Sequence, residues 1–261
     1  MAKAYHLDLE RRDLKGATIA LLPGDPERSP VIAGAIARAY GSGFAQLASK
    51  REFTTCLTEV MGAKVLVTST GIGGPSASIA IDELAQLGVR TFIRVGTTGA
   101  IQGHIKNGDC VITTGSVRLD GASTHYAPIE YPAVADFSLV AALVKGAKKA
   151  GVRFHLGITA SSDTFYPGEE RSDSFMKYKL RRFRGATEEW RALNVLNYEM
   201  ESSTLLTVTS ALGLKGACIT GVVNRGSTGK ITPQALKTGT ESAVKAAVAA
   251  LEFVVRGDGM L

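Results

Sequence analysis

Two arginines, two glutamates and a glycine-rich turn carry most of the chemistry this sequence can offer. The turn lies in STGIGGPSASIAIDEL (69–84), where an apolar run at 65–67 leads into Gly71, Gly73 and Gly74, and Pro75 and Ser76 open a helix. Glycine admits positive φ and lets a ligand approach the backbone, and proline suits the first helical turn, where its missing N–H costs nothing. Free amides at that helix start, with the helix dipole behind them, suit an anion or an oxygen-rich ligand; a tight strand-to-helix turn with no ligand reads the same way. Arg28 follows the apolar run 17–22 and Arg94 stands near the end of the run 91–95, together with Gly24, Gly96, Thr97 and Thr98. A bidentate guanidinium matches phosphate geometry. Either arginine alone could be a surface ion-pair partner, but both at neighbouring strand ends favour an anion cradle.

Two later segments add groups of other kinds. ASSDTFYPGEER (160–171) combines a Pro167-Gly168 turn with Phe165, Glu169 and Arg171: a ring to stack on a planar heterocycle, and polar groups to read its edge. NYEMES (197–202) sets Glu199 and Glu201 two apart around Met200. In an extended segment these carboxylates share a face; in a helix they do not. They could be a glycosidase-type acid and base, metal ligands, acceptors for a ribose diol, or a helix-start carboxylate with no ligand.

Strand and helix patterns alternate along the chain and would position these groups. Strand-like runs at 17–22, 65–68, 91–95, 109–113, 155–160 and 217–223 are separated by helical patterns, one ending near Ala37 and others at 76–86, 136–150, 201–212 and 240–255. Short glycine-containing connections between them predict one α/β domain over 1–261, with a mixed, mostly parallel central sheet flanked by helices. In such sheets ligands gather at the carboxyl ends of strands, where the residues above fall.

Composition excludes several alternatives. The 261 residues are 45% hydrophobic, enough for one large domain. Cys56, Cys110 and Cys218 are far apart, show no metal spacing and form no disulfide framework, which points to a reducing compartment. The charged N-terminal run lacks the apolar core of a signal peptide, and no apolar run approaches the roughly 18 residues that span a bilayer, so a cytoplasmic protein is expected. The net charge of +6 owes much to Lys177, Lys179, Arg181, Arg182 and Arg184. With only Tyr178 and Phe183 interleaved, that run reads as a solvated face rather than a nucleic-acid surface. GIGGPS also lacks the third glycine of a dinucleotide fingerprint and lies in the second strand-to-helix unit.

The glycine turn resembles the signature of the uridine phosphorylase and purine nucleoside phosphorylase family. PGDPER, ASKREFTT, RVGTTGAIQ, SVRLDGAS, PAVADF, TASSDTFYPG, NYEMES and GVVNR occur in the order seen in bacterial members of the uridine type. The segment 171–190 resembles the insertion over the base pocket in that type, and Asn224-Arg225 stands where purine-type members carry an aspartate. The resemblance implies reversible phosphorolysis of a pyrimidine nucleoside to free base and ribose 1-phosphate, a step of nucleotide salvage. Phosphate would meet Gly24, Arg28, Arg94 and Thr97, with Arg51 reaching in from a neighbouring subunit. Ribose would meet Glu199, Met200 and Glu201, with His6 from the partner subunit at the 5′-hydroxyl. The base would meet Phe165, Glu169 and Arg171, with Arg225 supporting the pocket wall. Glu52, Ile72 and Ser76 match positions that hold a potassium ion at a dimer interface, no other cofactor is implied, and the assembly would be a homohexamer built as a trimer of dimers. His104, His125 and His155 receive no role.

Glu169 departs from the family, which has glutamine there. An ionised glutamate accepts hydrogen bonds but cannot donate one. Pairing with Arg171 would hold it anionic while burial against Phe165 would raise its pKa, and weak uridine turnover that improves at lower pH is the expectation.

Overall fold

The computed structural model describes residues 3–175, 177–226 and 229–257; Met1, Ala2 and Met176, which fall in the N-terminal run and the 171–190 segment, lie outside these. The strands are β1 (Ile19–Leu22), β2 (Phe44–Lys50), β3 (Phe53–Val60), β4 (Ala63–Thr68), β5 (Thr91–Ala100), β6 (Cys110–Leu119), β7 (Ala133–Val134), β8 (Phe154–Ser162), β9 (Asn197–Glu199) and β10 (Lys215–Arg225). Interleaved with them are the helices α1 (Arg28–Tyr40), α2 (Gly74–Leu87), α3 (Phe137–Lys149), α4 (Ala186–Ala192), α5 (Ser202–Ala211) and α6 (Pro233–Arg256). All strands join one mixed sheet. Its parallel centre runs β4, β1, β5, β10. Strands β3 and β2 extend it antiparallel on one side. On the other, β10 passes to β6, then β8 and β9, and β9 returns to pair with the end of β5.

Alternation in the central strands divides the core between the two faces of the sheet. Ile19, Leu21, Ile93 and Ile219 pack with Ile32 and Ile36 of α1, Leu143 of α3 and Leu251 of α6. Ala20, Leu22, Leu66 and Phe92 pack on the other face with Ile81 and Leu84 of α2 and Leu205 and Leu206 of α5. Burial on both faces explains why these strands read as continuous apolar runs.

Two elements extend well beyond their sequence signals. Strand β5 runs through Gly96 and Gly99 to Ala100, because β10 pairs with it residue by residue, Thr97 opposite Gly221 and Thr98 opposite Val222. Helix α6 begins at Pro233, a full turn and more before 240, because Thr232 caps it by accepting from the Ala235 amide at 3.1 Å. The β2–β3 hairpin had no signal of its own: its turn is Arg51-Glu52, and Arg51 takes φ 54° where glycine would be usual. Among the described residues no helix is long and apolar enough to cross a membrane.

Close backbone approach fixes how α6 meets the sheet. A Cβ on Gly221 would lie 1.8 Å from the Gly239 carbonyl oxygen, and one on Gly146 of α3 would lie 2.6 Å from the backbone of Ala246 and Ala250. Backbone cannot yield as a side chain can. Gly221→Ala should therefore cost about 3 kcal/mol, a fall in Tm of roughly 6–12 °C. Gly43→Ala, whose Cβ meets nothing within 4 Å, serves as the control and should leave thermal unfolding unchanged.

Candidate active site

Strands β1, β4, β5, β9 and β10 end around a cavity of about 660 Å³. Arg94, on β5, lies at its floor, buried between two carboxylates. Its Nε donates to Glu199 Oε2 at 2.8 Å and its Nη2 pairs with Glu201 Oε2. A Cβ on Gly96 would sit 2.8 Å from the Arg94 guanidinium, so glycine is required where that side chain folds over the strand. The NYEMES segment is extended as far as Glu199, the last residue of β9, and Glu201 is the N-cap of α5. Both carboxylates therefore reach the same arginine, which the extended reading of the segment allows.

The two acids differ electrostatically. Glu199 accepts from the amides of Glu201 and Ser202 at 2.9 Å and from Ser202 Oγ at 2.5 Å. Burial opposes its charge, but Arg94 and these donors hold its pKa below the ordinary carboxylate range. Glu201 accepts from the Gly73 amide at 2.6 Å; burial and the Glu199 charge together push its pKa up. The start of α2 thus receives an anion, and that anion is the chain's own Glu201. Gly71 and Gly73 take positive φ there. Gly74 does not: it is glycine because a Cβ would lie 2.3 Å from Thr204 Oγ1. Asp120, just after β6, accepts from Ser203 Oγ at 2.6 Å and Thr204 Oγ1 at 2.7 Å and anchors the first turn of α5.

The mouth of β1 forms the cavity's positive wall. Gly24, Arg28 and Thr97 all line it, and the Gly24 amide has no hydrogen-bond partner among the described residues. Arg28 is 3.8 Å from Asp25, and burial together with the nearby Arg94 charge lowers its pKa. Two guanidiniums press on one another here, an arrangement that an anion between them would relieve.

Phe165, Glu169 and Met200 line the opposite part. Arg171 is buried behind them rather than in the lining: its guanidinium stacks 4.5 Å over Phe165 and grips Asp173 bidentately at 2.8 and 3.0 Å. The expected Glu169–Arg171 ion pair is therefore replaced by an Arg171–Asp173 pair. Glu169 is 7% exposed and has no hydrogen bond among the described residues. Burial, opposed by the Arg171 charge and reinforced by Glu199 and Glu201, pushes its pKa up to about 8. Of the two opposed effects expected from the sequence, burial outweighs the arginine.

Other expected site residues lie apart or at the rim. Glu52, Ile72 and Ser76 share the cavity's edge, where Ser76 Oγ donates to Glu52 Oε1 at 2.9 Å. His6 is away from the cavity, its Nδ1 2.7 Å from Glu83 Oε1, and Glu83 also accepts from the His6 and Leu7 amides. Arg51 is exposed in the β2–β3 turn. Arg225 turns outward and donates to the Gly103 carbonyl oxygen at 2.6 Å, so its neighbour Asn224 lines the cavity instead. Tyr198, Val223 and Ile231 also line it and escaped the sequence reading. Tyr198 adjoins the recognised Glu199, but Ile231 is an apolar residue in a loop and carries no signal.

Glu199→Ala leaves Arg94 paired with Glu201 but removes the buried acceptor of Arg94 Nε and of the Glu201 and Ser202 donors, and should lower stability by about 1–3 kcal/mol. A chemical unfolding midpoint unchanged from wild type would contradict this.

Residues 18–256 match the model of the phosphorylase superfamily. A uridine phosphorylase of Klebsiella aerogenes is 54% identical over 94% of this chain and 96% of its own length. One of Haemophilus influenzae is 50% identical over 98% and 100%, respectively. A guanosine phosphorylase of Halorubrum lacusprofundi is 35% identical over 84% and 82%. The single mixed sheet, its cavity at the strand ends and these likenesses agree: the chain belongs to the phosphorylase superfamily.

Proposed function

We propose that this chain is a pentosyltransferase that carries out the reversible phosphorolysis of uridine to uracil and ribose 1-phosphate, as a cytoplasmic enzyme of nucleotide salvage. The observation that carries the reading is the pairing, in one cavity, of the Arg28–Arg94 wall with the Glu199–Glu201 floor. Phosphate at the Gly24 amide, Arg28, Arg94 and Thr97 would sit beside a ribose whose hydroxyls donate to Glu201 near Met200. A phosphate oxygen attacks C1′ from the face opposite the base. The new O–C1′ bond forms as the C1′–N1 bond breaks, and that bond's electron pair leaves on the base. The arginines supply orientation and electrostatics rather than covalent chemistry. Phe165 stacks the base, with Arg171 fixed behind it.

Charge within one subunit is short of what a dianion needs. Arg28 and Arg94 face Asp25, Glu52, Glu169, Glu199 and Glu201 around the cavity. An exposed Arg51 from a neighbouring copy would add the missing positive charge, and His6 on its N-terminal arm would reach the 5′-hydroxyl once that arm packs against a partner. Glu52, Ser76 and the Ile72 carbonyl present oxygen donors only, a set that fits a hard monovalent cation such as potassium. A homohexamer assembled as a trimer of dimers accounts for these features together.

Two outcomes test this reading. Base release from uridine should require phosphate, and Arg94→Ala should reduce kcat/KM by at least about ten- to a hundredfold, the loss of a charge-assisted clamp. Equal release in phosphate-free buffer would make the enzyme a nucleosidase instead. Sedimentation should find an oligomer, and Arg51→Ala should raise the KM for phosphate without changing the melting temperature. A fully active monomer would remove the neighbour's role.

A further inference from the structure

One buried carboxyl of the cavity is used by neither the arginine clamp nor the ribose floor. Glu169 is almost wholly buried, opens onto the cavity and has no hydrogen-bond partner among the described residues. Its nearest potential counter-ion is committed elsewhere, since Arg171 holds Asp173 with two hydrogen bonds and lies against the Phe165 ring. The other charged or titratable groups facing it, Glu199, Glu201 and Tyr198, carry no positive charge. A carboxylate in that position would be desolvated without a hydrogen-bond donor and repelled by Glu199 and Glu201, which the Arg171 charge offsets only in part. A neutral carboxylic acid costs far less to bury and feels neither repulsion.

We propose that Glu169 works as a neutral carboxylic acid whose O–H donates and whose carbonyl oxygen accepts, so that it selects nucleobases presenting a ring N–H beside a carbonyl oxygen. This rests on the phosphorolysis reading for the identity of the ligand and deepens it. The carboxyl and such a base edge close a paired ring of two hydrogen bonds, N–H to C=O and O–H to O=C. A neutral acid thereby presents the same donor and acceptor as a glutamine amide, with no rotation needed to exchange them. As the C1′–N1 bond breaks, the electron pair left on the base spreads to its carbonyl oxygens. The Glu169 O–H bond to that oxygen strengthens as charge develops, and no proton need cross. The pKa of about 8 brought about by burial keeps the acid form dominant at neutral pH and limits it above.

Uracil binding measured by calorimetry at pH about 7 and about 9, for wild type and Glu169→Gln, tests the proposal without relying on turnover. Ionisation of uracil itself affects both proteins alike, so the ratio of their affinities isolates Glu169. That ratio should move about tenfold against wild type between the two pH values, because roughly one carboxyl in ten stays protonated one unit above its pKa. The variant should bind uracil at neutral pH and keep its uridine kcat/KM further into the alkaline range. A ratio that does not change with pH, or a variant that fails to bind at neutral pH, overturns the role of Glu169. If neither protein binds uracil, both the role and the uridine reading fall. If the ratio titrates while base release proceeds without phosphate, the role stands and only phosphorolysis falls.

Discussion

A buried arginine held between two buried glutamates is the constraint around which the rest of this structure is arranged. Three charges in a region of low dielectric are tolerable only when every one is paired and hydrogen-bonded. Their partners come from every direction: the Gly73 amide at the start of α2, the Ser202 amide and hydroxyl at the start of α5, and the strands β5 and β9 that carry Arg94 and Glu199. The triad thus joins a parallel strand of the sheet's centre to a strand that arrives from its far side. Glycine 96 follows from it directly, since no Cβ fits beneath the folded arginine.

The same arrangement makes the site both stable and reactive. Glu199 is saturated with donors and keeps its charge, so it fixes Arg94 in place. Glu201 has only the Gly73 amide and the shared arginine, and it lies on the cavity surface with its pKa raised. The less satisfied of the pair is the one with acceptor capacity left for a ligand. One carboxylate positions and the other is available, a division of labour set by neighbours rather than by residue type.

Much of this was legible in the sequence. The apolar runs of β1, β4, β5 and β10 read directly because both faces of those strands are buried, and Arg28 and Arg94 stood out because they lie at the ends of such runs. Boundaries were less legible: β5 looks as if it ends at Val95, yet pairing with β10 carries it to Ala100. Helix α6 looks as if it begins at 240, but a threonine cap and a proline start it at Pro233. The least legible were choices between partners. Arg171 has Glu169 two residues before it and Asp173 two residues after it, at equal spacing, and only the turn geometry, with Glu170 at φ 55°, decides that the guanidinium faces Asp173. Likewise Arg225 and Asn224 are adjacent at the end of β10, just past an irregularity in its pairing with β5, and one turns outward while the other lines the cavity.

Charge balance links the two ends of the cavity. Five acids and two arginines line it, so any anion that enters works against a negative surplus unless some of those acids are neutral or paired. Arg94 shields two of them, and the Ser76 hydroxyl donates to Glu52 at the rim. Of the remainder, Glu169 is the more buried, it has no hydrogen-bond partner among the described residues, and the Arg171 charge does not offset its desolvation. Holding that group neutral removes one negative charge from the cavity without bringing in another cation. Desolvation around Glu169 would therefore favour an anion beside Arg28 and Arg94, and no contact between the two is needed for that influence to operate.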